Sequence, residues 1–236
     1  MTEAQLTFKR YEKKYMIRPE QYERFRRRLD EHIRPDHFFT STVCSIYYDT
    51  DNYSLIRNSI DKPIYKEKLR LRSYNVPKPE DDVFVELKGK FKGLVYKRRV
   101  MMSLSEATAY LSGEQKAPHD GQVVREVDWF LKTTPVQPKV FIACDRQAYV
   151  SKEDEALRIT FDENIRWRDY ELDLSAGSHG ENILPAGYVL MELKIPQACP
   201  MWLARMLSEH QLFPAGFSKY GTCYKDNLIN GVILNV

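Results

Sequence analysis

Along Tyr65-Lys66-Glu67-Lys68-Leu69-Arg70-Leu71-Arg72 a cation falls at every second residue. Strand side chains alternate between faces, so Lys66, Lys68, Arg70 and Arg72 would share one face and Tyr65, Leu69 and Leu71 the other. Downstream, Glu86, Lys88 and Lys90 share a face opposite Val83, Val85 and Leu87, and Lys97 and Arg99 repeat the pattern. Arg10, Glu12 and Lys14 do so near the N-terminus, Glu192 and Lys194 near the C-terminus. A single charged face is ordinarily the solvated side of a sheet. Five strands dominated by cations are better explained by a bound anion, because like charges on neighbouring strands repel. Lysine supplies a compact point charge and arginine a bidentate fork, so a chain of phosphates suits such a surface.

The glutamates are the second part of this chemistry. A carboxylate in an anion site is unfavourable unless it meets a cation, and Mg²⁺ or Mn²⁺ with oxygen ligands is the natural partner. Glu192, Glu12 and Glu86 are the candidates. For Glu86 an ion pair with a neighbouring lysine is the favoured reading.

The elements that must position these residues follow from pattern and punctuation. Phe8 to Ile17 reads as a strand, and Pro19 opens a helix to about Glu31. Thr42 to Asp49 reads as a strand, and Asp51 to Ile60 as a short helix behind an Asp cap. Ile64 to Tyr74, Val83 to Lys90 and Leu94 to Met102 are three further strands. Ser105 opens a helical stretch and Asp120 to Lys132 forms another. Val140 to Val150, Leu157 to Arg166 and Tyr188 to Ile195 are strands, with a polar loop at Ser175 to Asn182. Helices at Met201 to His210 and Lys219 to Ile229 finish the chain. Many strands with short connections predict a mainly antiparallel α+β barrel, cations inward and apolar outside covered by the helices.

Bulk composition narrows the classes. A chain of 236 residues with 43% hydrophobic, 29% charged and 12% aromatic residues can bury a core, here expected as one domain over residues 1–236. Its net charge of +3 does not by itself point to a polyanion. No apolar run reaches membrane-spanning length, and MTEAQLTFKR lacks the apolar stretch of a secretory signal, so a cytoplasmic location is expected. Cys44, Cys144, Cys199 and Cys223 show no CxxC or zinc spacing and read as reduced thiols. The five histidines have no ligand spacing. Aromatic residues do not interleave with the basic faces, which argues against nucleic acid. Arg57, Arg125 and Arg166 read as solvated, and Tyr149 as a packing residue.

Ordered along the chain, the motifs resemble the polyphosphate polymerase domain of vacuolar transporter chaperone (VTC) proteins, in the triphosphate tunnel metalloenzyme (CYTH-like) superfamily. Arg10-Tyr11-Glu12-Lys13-Lys14 is similar to the superfamily's Glu-x-Glu-x-Lys strand, with Arg10 replacing the first glutamate. That replacement resembles the polymerase branch. Tyr47-Tyr48-Asp49, Leu69-Arg70-Leu71-Arg72, Val85-Glu86-Leu87-Lys88 and Lys97-Arg98-Arg99 follow in family order. Arg146-Gln147-Ala148-Tyr149, Leu157 to Asp162, Met191-Glu192-Leu193-Lys194 and Gly216-Phe217-Ser218-Lys219-Tyr220 complete the series, from about Phe8 to Tyr224.

The resemblance implies an eight-stranded closed tunnel that transfers the terminal phosphate of ATP to polyphosphate with Mn²⁺ or Mg²⁺. It implies catalytic roles for Lys14, Arg70, Arg72, Lys88 and Lys219. Phosphate binding would fall to Arg10, Lys97, Arg99, Arg146, Arg158, Lys194 and Ser218, and metal binding to Glu192 and Glu12. Eukaryotic relatives carry a regulatory domain and membrane helices that this sequence lacks, so a membrane-embedded partner protein, at the inner face of a membrane, is a further expectation. Two other activities remain open: a metal-dependent triphosphatase and a non-catalytic polyphosphate sensor.

Overall fold

The computed structural model describes residues 11–92, 94–196 and 198–229. In chain order the elements are β1 (Tyr11–Ile17), α1 (Pro19–Leu29), β2 (Ile33–Asp49), α2 (Ser54–Ile60), β3 (Tyr65–Tyr74), β4 (Asp82–Phe91) and β5 (Leu94–Ser103). There follow α3 (Leu104–Leu111), α4 (Gln122–Thr133), β6 (Gln137–Ser151), β7 (Arg158–Arg168), β8 (Glu181–Asn182), β9 (Val189–Ile195), α5 (Met201–Glu209) and α6 (Lys219–Cys223). The protein is therefore mainly β, an α+β fold. Its sheet follows the order β1-β9-β7-β6-β2-β3-β4-β5, with the two-residue β8 added beside β7. Eight strands on the path match the expected number, and β8 makes nine. Among the described residues the path runs from β1 to β5 with no pairing that closes it.

Local chemistry sets the boundaries. Pro19 starts α1, where its missing N–H costs nothing. Ser103 and Glu106 form a reciprocal capping box on α3. The expected Asp cap of α2 is Asp49 rather than Asp51: its Oδ1 accepts from Leu55 N at 2.9 Å and its Oδ2 from Ile56 N at 3.0 Å. Asp49 is buried and can hold the first helical turn, whereas Asp51 is exposed and meets Lys139 instead. β2 begins nine residues before the expected Thr42, at Ile33. Residues 33–41 are mostly exposed and contain Pro35, so neither alternation nor propensity marks them. Arg166 is half-buried, donating to the carbonyl of Ser178 and to its Oγ at 2.9 Å, so the solvated reading of this residue is corrected.

Two compact units share the chain. Of the described residues, one contains those within 11–41, 144–165 and 184–217, the other those within 42–143, 166–183 and 218–229. Strands β2, β6 and β7 run through both. In the first unit Tyr15, Ile17, Ile159, Phe161, Met191 and Leu193 pack with Phe25 and Leu29 of α1 and Leu203, Met206 and Leu207 of α5. Tyr149 joins this core, edge-on to Phe39 and Phe161, in the packing role expected of it. In the second unit Leu69, Leu71, Val83, Val85 and Leu87 pack with Leu104, Ala107, Val127 and Phe130 of α3 and α4. Within each unit the apolar strand face is thus covered by helices. The charged residues lie on the alternate positions.

Candidate phosphate-binding site

The second unit carries a cation ladder. Register places Lys66 opposite Lys90, Lys68 opposite Lys88, and Arg70 opposite Glu86. One strand further, Lys88 faces Lys97 and Glu86 faces Arg99. Directly opposed residues share a face. This face therefore presents Lys66, Lys68, Arg70, Arg72, Lys88, Lys90, Lys97 and Arg99, with the buried carboxylate of Glu86 among them.

Glu86 is fully buried. Arg70 reaches its Oε2 through Nε and Nη2, each at 2.6 Å, and Lys97 Nζ reaches Oε1 at 2.9 Å. Arg72 Nε lies 3.9 Å from Glu86 Oε2 and donates to Ser45 Oγ at 3.1 Å. Burial would raise the Glu86 carboxyl, but Arg70, Arg72 and Lys97 outweigh it and hold it far below the usual range. Glu86 is an ion-pair residue, and its main partner is an arginine rather than the lysine expected. Tyr47 lies beside the same group, with Arg70 Nη1 3.4 Å from its hydroxyl. Burial opposes ionisation of this phenol, yet Arg70 and Arg72 bring it down to about 8.

Behind Tyr47 stands Tyr220, stacked at 4.7 Å between ring centroids and donating its hydroxyl to Asp49 Oδ2 at 2.9 Å. Tyr220 follows Ser218 and Lys219. Ser218 Oγ caps α6 by accepting from Gly221 N at 3.2 Å, and Lys68 Nζ lies 3.5 Å from the same oxygen. Lys219 is half-buried in the first turn of α6. Arg99 rests its guanidinium 4.7 Å over the Phe84 ring.

The first unit carries a second cluster. Glu12 pairs with Lys194 and Lys14 with Glu192 across β1 and β9. On the other side Lys194 pairs with Arg158 and Glu192 with Thr160. Burial would raise the Glu192 carboxyl, but a hydrogen bond from Glu12 and the charges of Lys194, Lys14 and Arg146 keep it well below the ordinary value. Lys194 Nζ is 3.3 Å from Glu192 Oε1, and Lys14 Nζ donates to the carbonyl of Phe217 at 3.1 Å. Arg146 grips the fully buried Asp162, Nε to Oδ1 at 2.6 Å and Nη2 to Oδ2 at 2.8 Å. Arg158 is half exposed, 4.0 Å from Asp36. Arg10 lies outside the described residues.

The Glu12–Glu192 pair fits a divalent metal in a limited way. The two carboxyls lie close enough to interact, and two neighbouring carboxylates can be balanced by one divalent cation. Opposite Glu192, the buried Thr160 Oγ1 has no hydrogen-bond partner, so one polar atom at this spot awaits a ligand. Among the described residues no group of three or more His, Cys, Asp or Glu could form a complete protein cage. A metal here would draw the rest of its shell from phosphate and water, as Mg²⁺ usually does.

Asp162, Tyr47, Ser45, Tyr220 and Thr160 were not singled out from the sequence as site residues. Asp162, Thr160, Tyr47 and Tyr220 stand inside recognised motifs, but their roles depend on partners elsewhere in the chain.

Comparison with known proteins bears on the family and the fold. The VTC domain family matches residues 9–226. No curated protein sequence matches the chain. A candidate adenylate cyclase from Bacillus halodurans superposes with a TM-score of 0.54 at 13% identity, covering 88% of this chain and 92% of that one. A candidate adenylyl cyclase from Hippeastrum, described as having a dominant triphosphatase activity, superposes with a TM-score of 0.53 at 14% identity, covering 92% and 96%. Identities this low establish a shared fold. The match over nearly the whole sequence establishes more: the chain belongs to the VTC domain family.

Proposed function

We propose that this chain is a polyphosphate polymerase, transferring the terminal phosphate of ATP to a growing polyphosphate chain, and that its eight-strand path closes into a basic tunnel. The observation that carries the reading is the ladder of eight cations around the buried Glu86. Arg72 stands six positions beyond Lys66 along β3, about 20 Å of strand. A row of that length suits a linear polyanion better than a single phosphate group.

Phosphoryl transfer needs alignment and charge stabilisation more than covalent work by the protein. A terminal oxygen of the chain attacks the γ-phosphorus of ATP; the bond to the β,γ-bridging oxygen breaks, and ADP leaves with the electron pair. The attacking oxygen is already ionised, so no strong base is required. Arg70, Arg72, Lys88, Lys97 and Arg99 hold phosphate oxygens, with Lys14, Arg146, Arg158, Lys194, Ser218 and Lys219 contributing further contacts. Glu86 and Asp162 keep Arg70 and Arg146 in fixed orientations, so little reorganisation remains when substrate arrives. Glu192 and Glu12 would hold Mn²⁺ or Mg²⁺, whose charge would offset that of the phosphates.

A second reading, hydrolysis of tripolyphosphate, draws on the unpartnered Thr160 hydroxyl beside Glu192, where a water could be oriented. It also draws on the triphosphatase activity ascribed to the Hippeastrum protein. Incubation with ATP and Mn²⁺ separates the readings. Chains on a polyphosphate gel with matching ADP support the polymerase. Free phosphate without chains supports the hydrolase. Tight binding of polyphosphate without turnover would make the protein a sensor.

A further inference from the structure

Beyond the phosphate ladder, the end of the β3–β4–β5 hairpins combines exposed apolar side chains with lysines. Ile64 is 68% exposed, Tyr65 47%, Phe91 46% and Val95 45%. They come from separate segments yet form one tip. Tyr65 pairs with Phe91 across the strands, ring centroids 6.5 Å apart, and Lys90 pairs with Val95. The amide of Lys92 donates to the carbonyl of Ile64 at 2.9 Å, tying the β4–β5 turn to the approach to β3.

Lys62, Lys66, Lys90 and Lys92 belong to the same tip. Burial and the charges of Lys90 and Lys62 lower the Lys66 ammonium, as expected where cations crowd. Two acidic residues stand in these segments, Asp61 and Glu67, and Glu67 already accepts the Tyr96 hydroxyl at 3.0 Å. Solvent-facing apolar groups ringed by unbalanced lysines are poorly served by water alone. An anionic bilayer satisfies both: its acyl boundary takes the apolar groups and its headgroups take the ammonium groups.

We propose that this hairpin tip docks directly on an anionic lipid surface, with Ile64 and Phe91 entering the interface and Lys62 and Lys92 resting on the headgroups. These four residues lie outside the phosphate ladder, so docking and phosphate binding are separable by mutation.

The test is co-sedimentation of the full chain with neutral phosphatidylcholine vesicles and with vesicles containing phosphatidylserine. The expected result is sedimentation with the anionic vesicles alone. Lys62→Gln and Lys92→Gln should each weaken it about fivefold, and the pair Ile64→Ser with Phe91→Ser should reduce it by at least tenfold. All these variants should bind polyphosphate as the unmodified chain does. Failure to sediment with anionic vesicles would overturn the proposal. So would retained sedimentation in the tip variants together with release by added polyphosphate, which would mean that the cation ladder had been holding the lipid.

Discussion

Asp162 and Arg146 form a two-pronged ion pair in which the carboxylate is fully buried and the guanidinium nearly so. Two of the five donors of Arg146 are thereby committed, and its plane is fixed. The same device recurs at Arg70 and Glu86. In each unit an interior carboxylate sets the direction of an arginine that the sequence marks as a phosphate ligand.

Removing Asp162 leaves a buried guanidinium without its counter-charge. Asp162→Ala should lower unfolding stability by about 3–5 kcal/mol, measured by urea denaturation. Asp162→Asn keeps one acceptor and should cost less. Equal losses for the two would show that only the charge, absent from both, matters at this position and that the retained acceptor contributes nothing.

Glu86 acts differently, because three cations converge on it. Glu86→Gln should destabilise the ligand-free chain most at low salt. Tripolyphosphate should then raise the melting temperature of Glu86→Gln by more than it raises that of the unmodified chain, since the ligand replaces the lost negative charge. The folded carboxyl is depressed, so its contribution is complete above the unfolded value of about 4.3 and is lost as pH falls toward the lower folded value. Glu86→Gln should flatten that acid limb.

Tyr47 offers a spectroscopic reporter. Its phenol, brought to about 8 by Arg70 and Arg72 against burial, should give a tyrosinate absorbance step near that pH that is absent in Tyr47→Phe. Between about 8 and the unfolded value near 10 the unfolded chain binds more protons, so stability from this group rises with pH and is lost as pH falls through about 8. Bound tripolyphosphate, by neutralising the arginines, should push the step upward. A step that ignores the ligand would place phosphate away from Arg70.

The alternating cations were legible because period two is local: register then aligned Lys68 with Lys88 and Lys97 as the pattern implied. The helical covering was legible for the same reason, from the apolar faces around Phe25, Phe130 and Leu203. What could not be read were pairings set by tertiary contact. Asp49 and Tyr220 meet across 171 residues, and Arg146 and Asp162 meet only once β6 and β7 lie side by side. The first part of β2 was hidden because residues 33–41 lack alternation and are mostly exposed, with Ile33 buried at the start and a neighbouring strand to hold them.

Thr160 and Glu192 allow the metal reading to be separated from the anion reading. The Thr160 hydroxyl has no partner, so Thr160→Val removes a buried polar atom at little cost and should leave stability unchanged or slightly higher. If that hydroxyl orients a ligand of a metal at Glu12 and Glu192, turnover should nevertheless fall about 10-fold or more. Glu192→Ala should abolish turnover and the effect of Mn²⁺ on polyphosphate affinity while leaving metal-free binding in place. Arg72→Ala should weaken binding with or without metal and also abolish turnover. Metal titrations followed by calorimetry, with and without tripolyphosphate, distinguish these patterns. Identical losses of metal-free binding in Glu192→Ala and Arg72→Ala would remove Glu192 from the metal site and leave it an ion-pair partner of Lys194.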